Sequence, residues 1–279
     1  MRGLFVGDAP GFSPGSLRMQ CVETPDFNPG SSRKAQGARR TAHGDAPGRT
    51  DFVLLVKNPA PGAVKSRLAA VTGDARAAGL YRLFVLDMLA SFEKASVSPV
   101  ICYHPPKAMA AIREWLGPRY HFLAQRGDDH PARLRHAFED LFAEGAGKVI
   151  VFASDLPDLP AKIIKQAGRE LKKAGTVIGP CADGGYYAIG FRRESFVPEA
   201  FEGIAWSTVE TLYQTVGTLV LAGHRPALLP EWPDIDTPED LVGLYERNRR
   251  TAFRSSRTME HLRGIYGRKR RKGGDAADG

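Results

Sequence analysis

Lys148–Pro160 reads KVIVFASDLPDLP, and its two halves carry different messages. Val149 to Ala153 are apolar without a polar residue between them, which is the texture of a strand buried on both faces, as in a parallel sheet. The run then stops at Ser154-Asp155-Leu156-Pro157-Asp158, where proline and short polar residues break the strand and open a loop. An aspartate at the end of a buried strand is poorly placed for a surface role. Asp155 is instead placed to hold a hard cation such as Mg2+ or Mn2+, which prefers one or two carboxylates together with phosphate oxygens. The plainer alternative is that it caps the next turn.

The same texture recurs on either side. FVLLV ends at Lys57 and is followed by the Pro/Gly cluster NPAPG, so it reads as the first buried strand and its loop. A short helix is expected after Pro61-Gly62. A longer one is expected over Asp74–Lys94, where Ala78, Tyr81, Leu83, Phe84, Leu86 and Leu89 recur at helical spacing. PVICYH, YHFLAQ, GTVIGP and YYAIGF supply further strand candidates, and helical stretches fall near 107–116, 132–144, 161–173 and 208–221. A strand around RPALLP and a helix opening at Thr237-Pro238-Glu239-Asp240 close the pattern. This alternation predicts one Rossmann-like α/β domain over residues 51–245, with a mostly parallel central sheet and helices on both faces.

The chain of 279 residues, 43% hydrophobic and 25% charged, is long enough to bury a full core. No apolar run approaches eighteen residues and the first thirty lack a continuous apolar stretch, so neither a membrane span nor export is expected, and the expected location is the cytoplasm. Cys21, Cys102 and Cys181 fit no metal or redox spacing and are expected to be reduced and structural. The net charge of +8 is carried by the ends: residues 1–50 hold seven Lys/Arg against four Asp/Glu, and residues 243–279 hold eleven against four. Residues 51–242 are left with 21 basic and 23 acidic side chains, which argues against nucleic acid as a partner of the folded face. Residues 1–50, rich in Gly, Pro, Ser and Arg, are expected to be disordered, and 246–279 to be a basic helix or tail with a disordered end.

In an open α/β sheet, ligands bind beyond the carboxyl ends of the strands. Three further segments meet that rule. VKNPAPGAVKSRL sets Lys57, Lys65, Ser66 and Arg67 around a loop between strand and helix, a ready phosphate site without the spacing of a Walker loop, or else a solvated turn. GPCADGGYYAIGF places Asp183-Gly184-Gly185 between two strand-like runs, suiting either a close approach of backbone to ligand or a tight hairpin. WPDIDTPEDL carries Asp236 just before a helix start, as a ligand or as an N-terminal cap.

KNPAPGAVKSRLA, SDLPDLP, GPCADGGYYAIG, IAWST and DIDTPEDL, in this order, resemble the signature blocks of a bacterial group related to glycosyltransferase family A and named as arsenosugar-biosynthesis glycosyltransferases. That group lies in the nucleotide-diphosphosugar transferase superfamily and is similar in fold to 2-phospholactate guanylyltransferase and molybdenum-cofactor nucleotidyltransferase. The resemblance implies a glycosyltransferase A fold, with Lys57, Lys65 and Arg67 in the nucleotide-phosphate loop. It implies Asp155 and Asp236 as ligands of Mg2+ or Mn2+, and Asp183, Gly184, Gly185, Trp206, Ser207 and Thr208 on the acceptor side. His130-Pro131-Ala132-Arg133 departs from the group's Leu-Gly-Glu-Arg, while Gln125 and Arg133 are retained.

Transfer from a nucleotide donor builds charge on phosphate, which a divalent cation and flanking cations neutralise. The first expectation is therefore glycosyl transfer from a nucleotide-sugar to a small acceptor, with Asp155 as metal ligand and Asp183 orienting or deprotonating the acceptor hydroxyl. Nucleotidyl transfer from a nucleoside triphosphate, releasing pyrophosphate, is the alternative. A non-catalytic nucleotide- or nucleic-acid-binding protein using the basic tail is a third reading. Hydride transfer is set aside because no GxGxxG follows the first strand.

Overall fold

The computed structural model describes residues 48–273, with side chains as far as 266; residues 1–47, which carry most of the expected disordered segment, and 274–279, the expected disordered end, lie outside the described residues. The chain runs β1 (Thr50–Lys57), α1 (Ser66–Thr72), α2 (Asp74–Lys94), β2 (Val100–His104), α3 (Met109–Leu116), β3 (Phe122–Ala124), α4 (His130–Ala143) and β4 (Lys148–Phe152). It continues through α5 (Ala161–Ala174), β5 (Thr176–Pro180), β6 (Tyr186–Arg192), α6 (Thr211–Leu221), β7 (Ala227–Leu228), α7 (Pro238–Asn248) and α8 (Arg257–Gly273).

Seven strands form one sheet in the order β3-β2-β1-β4-β6-β5-β7. All neighbours are parallel except β6, which runs antiparallel to both β4 and β5. The reason is local. The short turn at 181–185 joins β5 to β6, and a connection that short can only return the chain antiparallel.

Alternation along the central strands feeds two cores. Leu54, Val56, Ile101, Tyr103, Ile150 and Phe152 pack on one face against α2, α5, α7 and α8, through residues such as Phe84, Phe92, Ile164, Leu244 and Leu262. Val53, Val100, Cys102, Val149 and Val151 face the other way, onto Phe138, Leu141 and Phe142 of α4 and Leu219 of α6. Each fully buried large side chain contributes on the order of 1.5–3 kcal/mol, so strands that are apolar on both faces hold the sheet between two helical layers. Helix α8 is seated by Met259 and Leu262 and by Asp87 of α2, whose buried carboxylate accepts the Thr258 amide at 2.8 Å and the Arg257 amide at 3.2 Å. Cys102 and Cys181 are free, buried thiols; Cys21 lies outside the described residues. No helix among the described residues is long and apolar enough to cross a membrane.

Strand order reverses direction of growth between β1 and β4: the chain first moves outward through β2 and β3, then returns to place β4 on the opposite side of β1. A crevice forms beyond the carboxyl ends of strands at such a switch point. Lys57 and Asp155 both lie there.

Candidate active site

Tyr81 of α2 ties the two strand ends together. Its buried hydroxyl accepts the Lys57 amide at 2.9 Å and lies 2.8 Å from Ser154 Oγ, so the ends of β1 and β4 are held by one side chain. Beyond β1 the loop reaches Lys65, which adopts left-handed backbone angles, φ 51° and ψ 51°, ahead of α1. A non-glycine residue in that region carries a strain of about 1–2 kcal/mol. Here the turn aims the side chain back over the sheet: Lys65 Nζ donates to Asp155 Oδ2 at 2.9 Å and to Asp236 Oδ1 at 2.6 Å. Arg67 stands 3.7 Å from the other oxygen of Asp236.

Two devices bring Asp236 to this point. The Ile235 amide donates to the Asp155 carbonyl at 3.0 Å, which pins the incoming segment to the loop after β4. Asp240 then closes a capping box: its carboxylate accepts the amides of Asp236 at 3.0 Å and Thr237 at 2.7 Å, while Thr237 Oγ1 accepts the Asp240 amide at 3.2 Å. The cap of α7 is therefore Thr237, and the Asp236 carboxylate is left for Lys65 and Arg67. Nor does Asp155 cap a helix, since α5 begins after Pro160 without a side-chain cap. Asp158, the second aspartate of the loop, is an anchor instead. With a side chain only 2% exposed, it accepts from Arg247 at 2.7 and 3.0 Å, Asn248 at 2.6 Å and Trp232 at 3.0 Å. It thereby locks α7 and the 232–236 segment onto the β4 loop.

The charges respond to one another. Burial alone would push the Lys65 ammonium down, but Asp155 and Asp236, through charge and hydrogen bonds, outweigh it and hold the group above the ordinary lysine range. Burial pushes the Asp155 carboxyl up, yet the Lys65 charge and hydrogen bond, with help from Lys57, bring it below the usual carboxylate range. Asp234 behaves oppositely: burial, then the neighbouring Asp155, Asp236 and Asp183, push it up to about 7. Asp155, Asp234 and Asp236 each offer an oxygen within 4.8 Å of the others, and Asp155 Oδ1 is a buried atom without a hydrogen-bond partner. Three carboxylates converging this closely, one with an orphaned oxygen, fit a hard divalent cation.

Asp155, Asp236 and Lys65 lie in a cleft of about 510 Å³ that is also lined by Lys57, Arg67, Gln125, His130, Arg133 and Ser207. His130 opens onto the cleft at the start of α4. Its walls strip water from the imidazole, and Arg133 and Lys57 oppose its charge, so it is pushed down to about 4 and is neutral at ordinary pH. Its ring meets Trp206 edge-on at 5.6 Å, and Trp206 meets Tyr186 at 5.9 Å. Ala132, at the position of the family-like glutamate, lies at the first turn of α4 with its amide on Asp129 Oδ1 at 2.8 Å. Gln125 and Arg133 both reach the cleft.

The structure places Lys57, Lys65, Arg67, Asp155, Asp236 and Ser207 on this one cleft. Asp183 lies to one side, within 4.8 Å of Asp234 and Cys181, with its Oδ1 accepting the Gly185 amide at 2.9 Å. Gly184 has φ +88°, and a Cβ there would lie 2.4 Å from the Val209 Cα, so this turn is closed against the segment after Trp206. Thr208 is committed to that segment: its hydroxyl donates to Ala205 O at 2.7 Å and accepts the Glu210 amide at 3.2 Å. Asp234, Tyr81, Ser154 and His130 were not singled out from the sequence as site residues. For Asp234 the signal was available, because Asp234 and Asp236 flank buried Ile235 at i and i+2, a spacing that puts both on one side of an extended segment.

The pattern of the family described as "Uncharacterized protein conserved in bacteria (DUF2064)" matches residues 88–208. Among solved structures, a "putative nucleotide-diphospho-sugar transferase" from Desulfovibrio desulfuricans G20 is 38% identical; the match covers 80% of this chain and 98% of that one, with a TM-score of 0.76. Rv0371c from Mycobacterium tuberculosis H37Rv is 17% identical over 71% of this chain and 98% of its own, at a TM-score of 0.47. A CMP:2-keto-3-deoxy-manno-octonic acid synthetase complexed with CTP is 12% identical over 70% and 96%, at 0.46. No curated protein matches the sequence.

Proposed function

The chain belongs to the nucleotide-diphospho-sugar transferase family of the Desulfovibrio protein, and we propose on that footing that it is a cytoplasmic, metal-dependent glycosyltransferase acting from a nucleotide-sugar onto a small acceptor. One observation carries the reading: Lys65 bridges Asp155 and Asp236 at 2.9 and 2.6 Å on the floor of a cleft at the sheet's switch point. Acidic and basic groups that neutralise each other at rest are suited to separate when a phosphate ligand and a cation arrive together. Asp155 and Asp236, joined by Asp234, would hold Mg2+ or Mn2+, which when bound neutralises the charge that develops on the leaving diphosphate. Lys57, Lys65 and Arg67 bind and orient the phosphates, with Arg133 on the same cleft. Asp183 orients the acceptor hydroxyl from the side of the cleft.

A second reading, nucleotidyl transfer, is favoured by the number of cations: Lys57, Lys65, Arg67 and Arg133 all open on the cleft, enough to match a triphosphate. The products separate the two. Glycosyl transfer releases a nucleoside diphosphate, and nucleotidyl transfer releases pyrophosphate. The first test is a thermal-shift screen of nucleotides and nucleotide-sugars with and without Mn2+, because a ligand that binds only the native state raises its stability by mass action. At least one nucleoside diphosphate should stabilise the protein in a metal-dependent way, and a shift that chelator leaves unchanged would count against the metal role.

A further inference from the structure

Asp234 belongs to two groups of ligand atoms. Besides its place with Asp155 and Asp236, one of its oxygens lies within 4.8 Å of both Cys181 Sγ and an oxygen of Asp183. The two groups differ in how their charge is balanced. Asp155 and Asp236 are bridged by Lys65, whereas neither Asp183 nor Asp234 forms an ion pair among the described residues. Cys181 adds an independent sign: its residue is 7% exposed, its thiol is free, and no hydrogen bond among the described residues engages the sulfur, although it lies within 4.8 Å of two carboxyl oxygens. A buried free cysteine otherwise behaves as a small hydrophobe with a weakly donating S–H. This one has apolar neighbours behind it and carboxyl oxygens in front.

We propose that Cys181, Asp183 and Asp234 form a second cation site beside the first, selective for a divalent transition metal of borderline softness such as Zn2+ or Co2+, with Asp234 shared between the two. The ligand types decide the selectivity. A sulfur with two carboxylate oxygens suits such metals, whereas the all-oxygen group of Asp155, Asp234 and Asp236 suits Mg2+ or Mn2+. The span is also suitable. A tetrahedral metal bonded at ~2.3 Å to sulfur and ~2.1 Å to oxygen holds such ligand atoms ~3.4–3.6 Å apart, so a group whose atoms lie within 4.8 Å of one another has to close by ~1.4 Å at most, within reach of a rotation of the exposed Asp183 side chain. On binding, the thiol proton passes to solvent and the thiolate becomes the ligand. The site goes beyond the transferase reading and does not depend on turnover.

Cobalt reports the sulfur directly, because thiolate ligation produces a near-ultraviolet charge-transfer band that carboxylates alone do not. The full chain, stripped with chelator and titrated with Co2+, should develop this band to one equivalent. Cys181→Ser should abolish it, Asp183→Asn should weaken the Co2+ affinity that it reports at least tenfold, and Asp155→Asn should keep it. Cobalt binding by calorimetry without the band, or a band unchanged in Cys181→Ser, would overturn the proposal. If Cys181→Ser does not fold, Asp183→Asn carries the test, since Asp183 is exposed on its turn; an undiminished affinity in that variant would also overturn it. A cobalt–thiolate band in a protein that no nucleotide stabilises would sustain this site while sinking the transferase reading, and nucleotide stabilisation without a band would do the reverse.

Discussion

Lys65→Met retains an unbranched, apolar stem of similar length and removes only the ammonium. At an effective dielectric of ~20, each contact at such distances is worth ~6 kcal/mol of gross attraction. Against this stands the cost of burying the ammonium, several kcal/mol for a side chain only 7% exposed. Asp236 and Asp155, with side chains 39% and 26% exposed, also regain hydration once the ammonium is gone. The net loss should therefore fall well below that of a fully buried pair, at about 1–3 kcal/mol. For a domain of this size that lowers Tm by roughly 2–12 °C, readable by differential scanning fluorimetry. Metal affinity should move in the opposite direction, because in the native protein a cation must part Lys65 from both carboxylates before it can bind. Relief of 1–3 kcal/mol corresponds to ~5–150-fold tighter Mn2+ binding by calorimetry, and Mn2+ at ~100 times its Kd should restore ~2.7 kcal/mol of stability. Nucleoside diphosphate affinity should fall in the same variant. An unchanged or raised Tm together with unchanged Mn2+ affinity would refute the claim that Lys65 occupies the centre between the two aspartates.

Asp155→Asn should remove the metal dependence of nucleotide-induced thermal shifts, since it takes away both the negative charge and the orphaned carboxylate oxygen. Asp158→Ala should cost about 2–3 kcal/mol in chemical denaturation, because the part-exposed Arg247 loses its carboxylate and the Asn248 and Trp232 donors lose their acceptor. Gly184→Ala should cost about 2–3 kcal/mol, as φ +88° and the 2.4 Å approach to Val209 both exclude a Cβ. Arg67→Ala should separate binding from folding: its side chain is 72% exposed, so stability should stay within ~0.5 kcal/mol. Its loss of a charge-assisted phosphate contact should nonetheless weaken nucleoside diphosphate binding about tenfold by calorimetry.

The sheet was legible because β1 and β4 are apolar on both faces, and only a strand covered by helices on each side can afford that texture. Strand ends were legible for the same reason, since the apolar run stops where the backbone emerges at Lys57 and Ser154. Spacing along the sequence does not report direction, so the antiparallel insertion of β6 between β4 and β5 became clear only from the pairing that the 181–185 turn enforces. Helix α6 likewise begins at Thr211 rather than 208, because Thr208 spends its hydroxyl within the preceding turn.

What composition could not show is how the site is held at rest. Lys65 looks like any loop lysine until its left-handed backbone is known, and nothing in KNPAPGAVKSRLA announces a positive φ at a residue that is neither glycine nor asparagine. Three segments far apart in the chain then have to be fixed within a few ångströms, and each is fixed by a group outside the cleft's chemistry. Tyr81 joins the β1 and β4 ends, Asp158 fastens α7 to the β4 loop, and Asp240 holds the Asp236 amide. These three side chains sit in a helix interior, a proline-rich loop and a capping box, where ordinary structural roles suffice to explain their presence. The carboxylates that face the cleft could be nominated from strand ends because chemistry and exposure mark them. The residues that aim those carboxylates are masked by their ordinary structural roles, so the site's geometry had to come from the fold even where its chemistry did not.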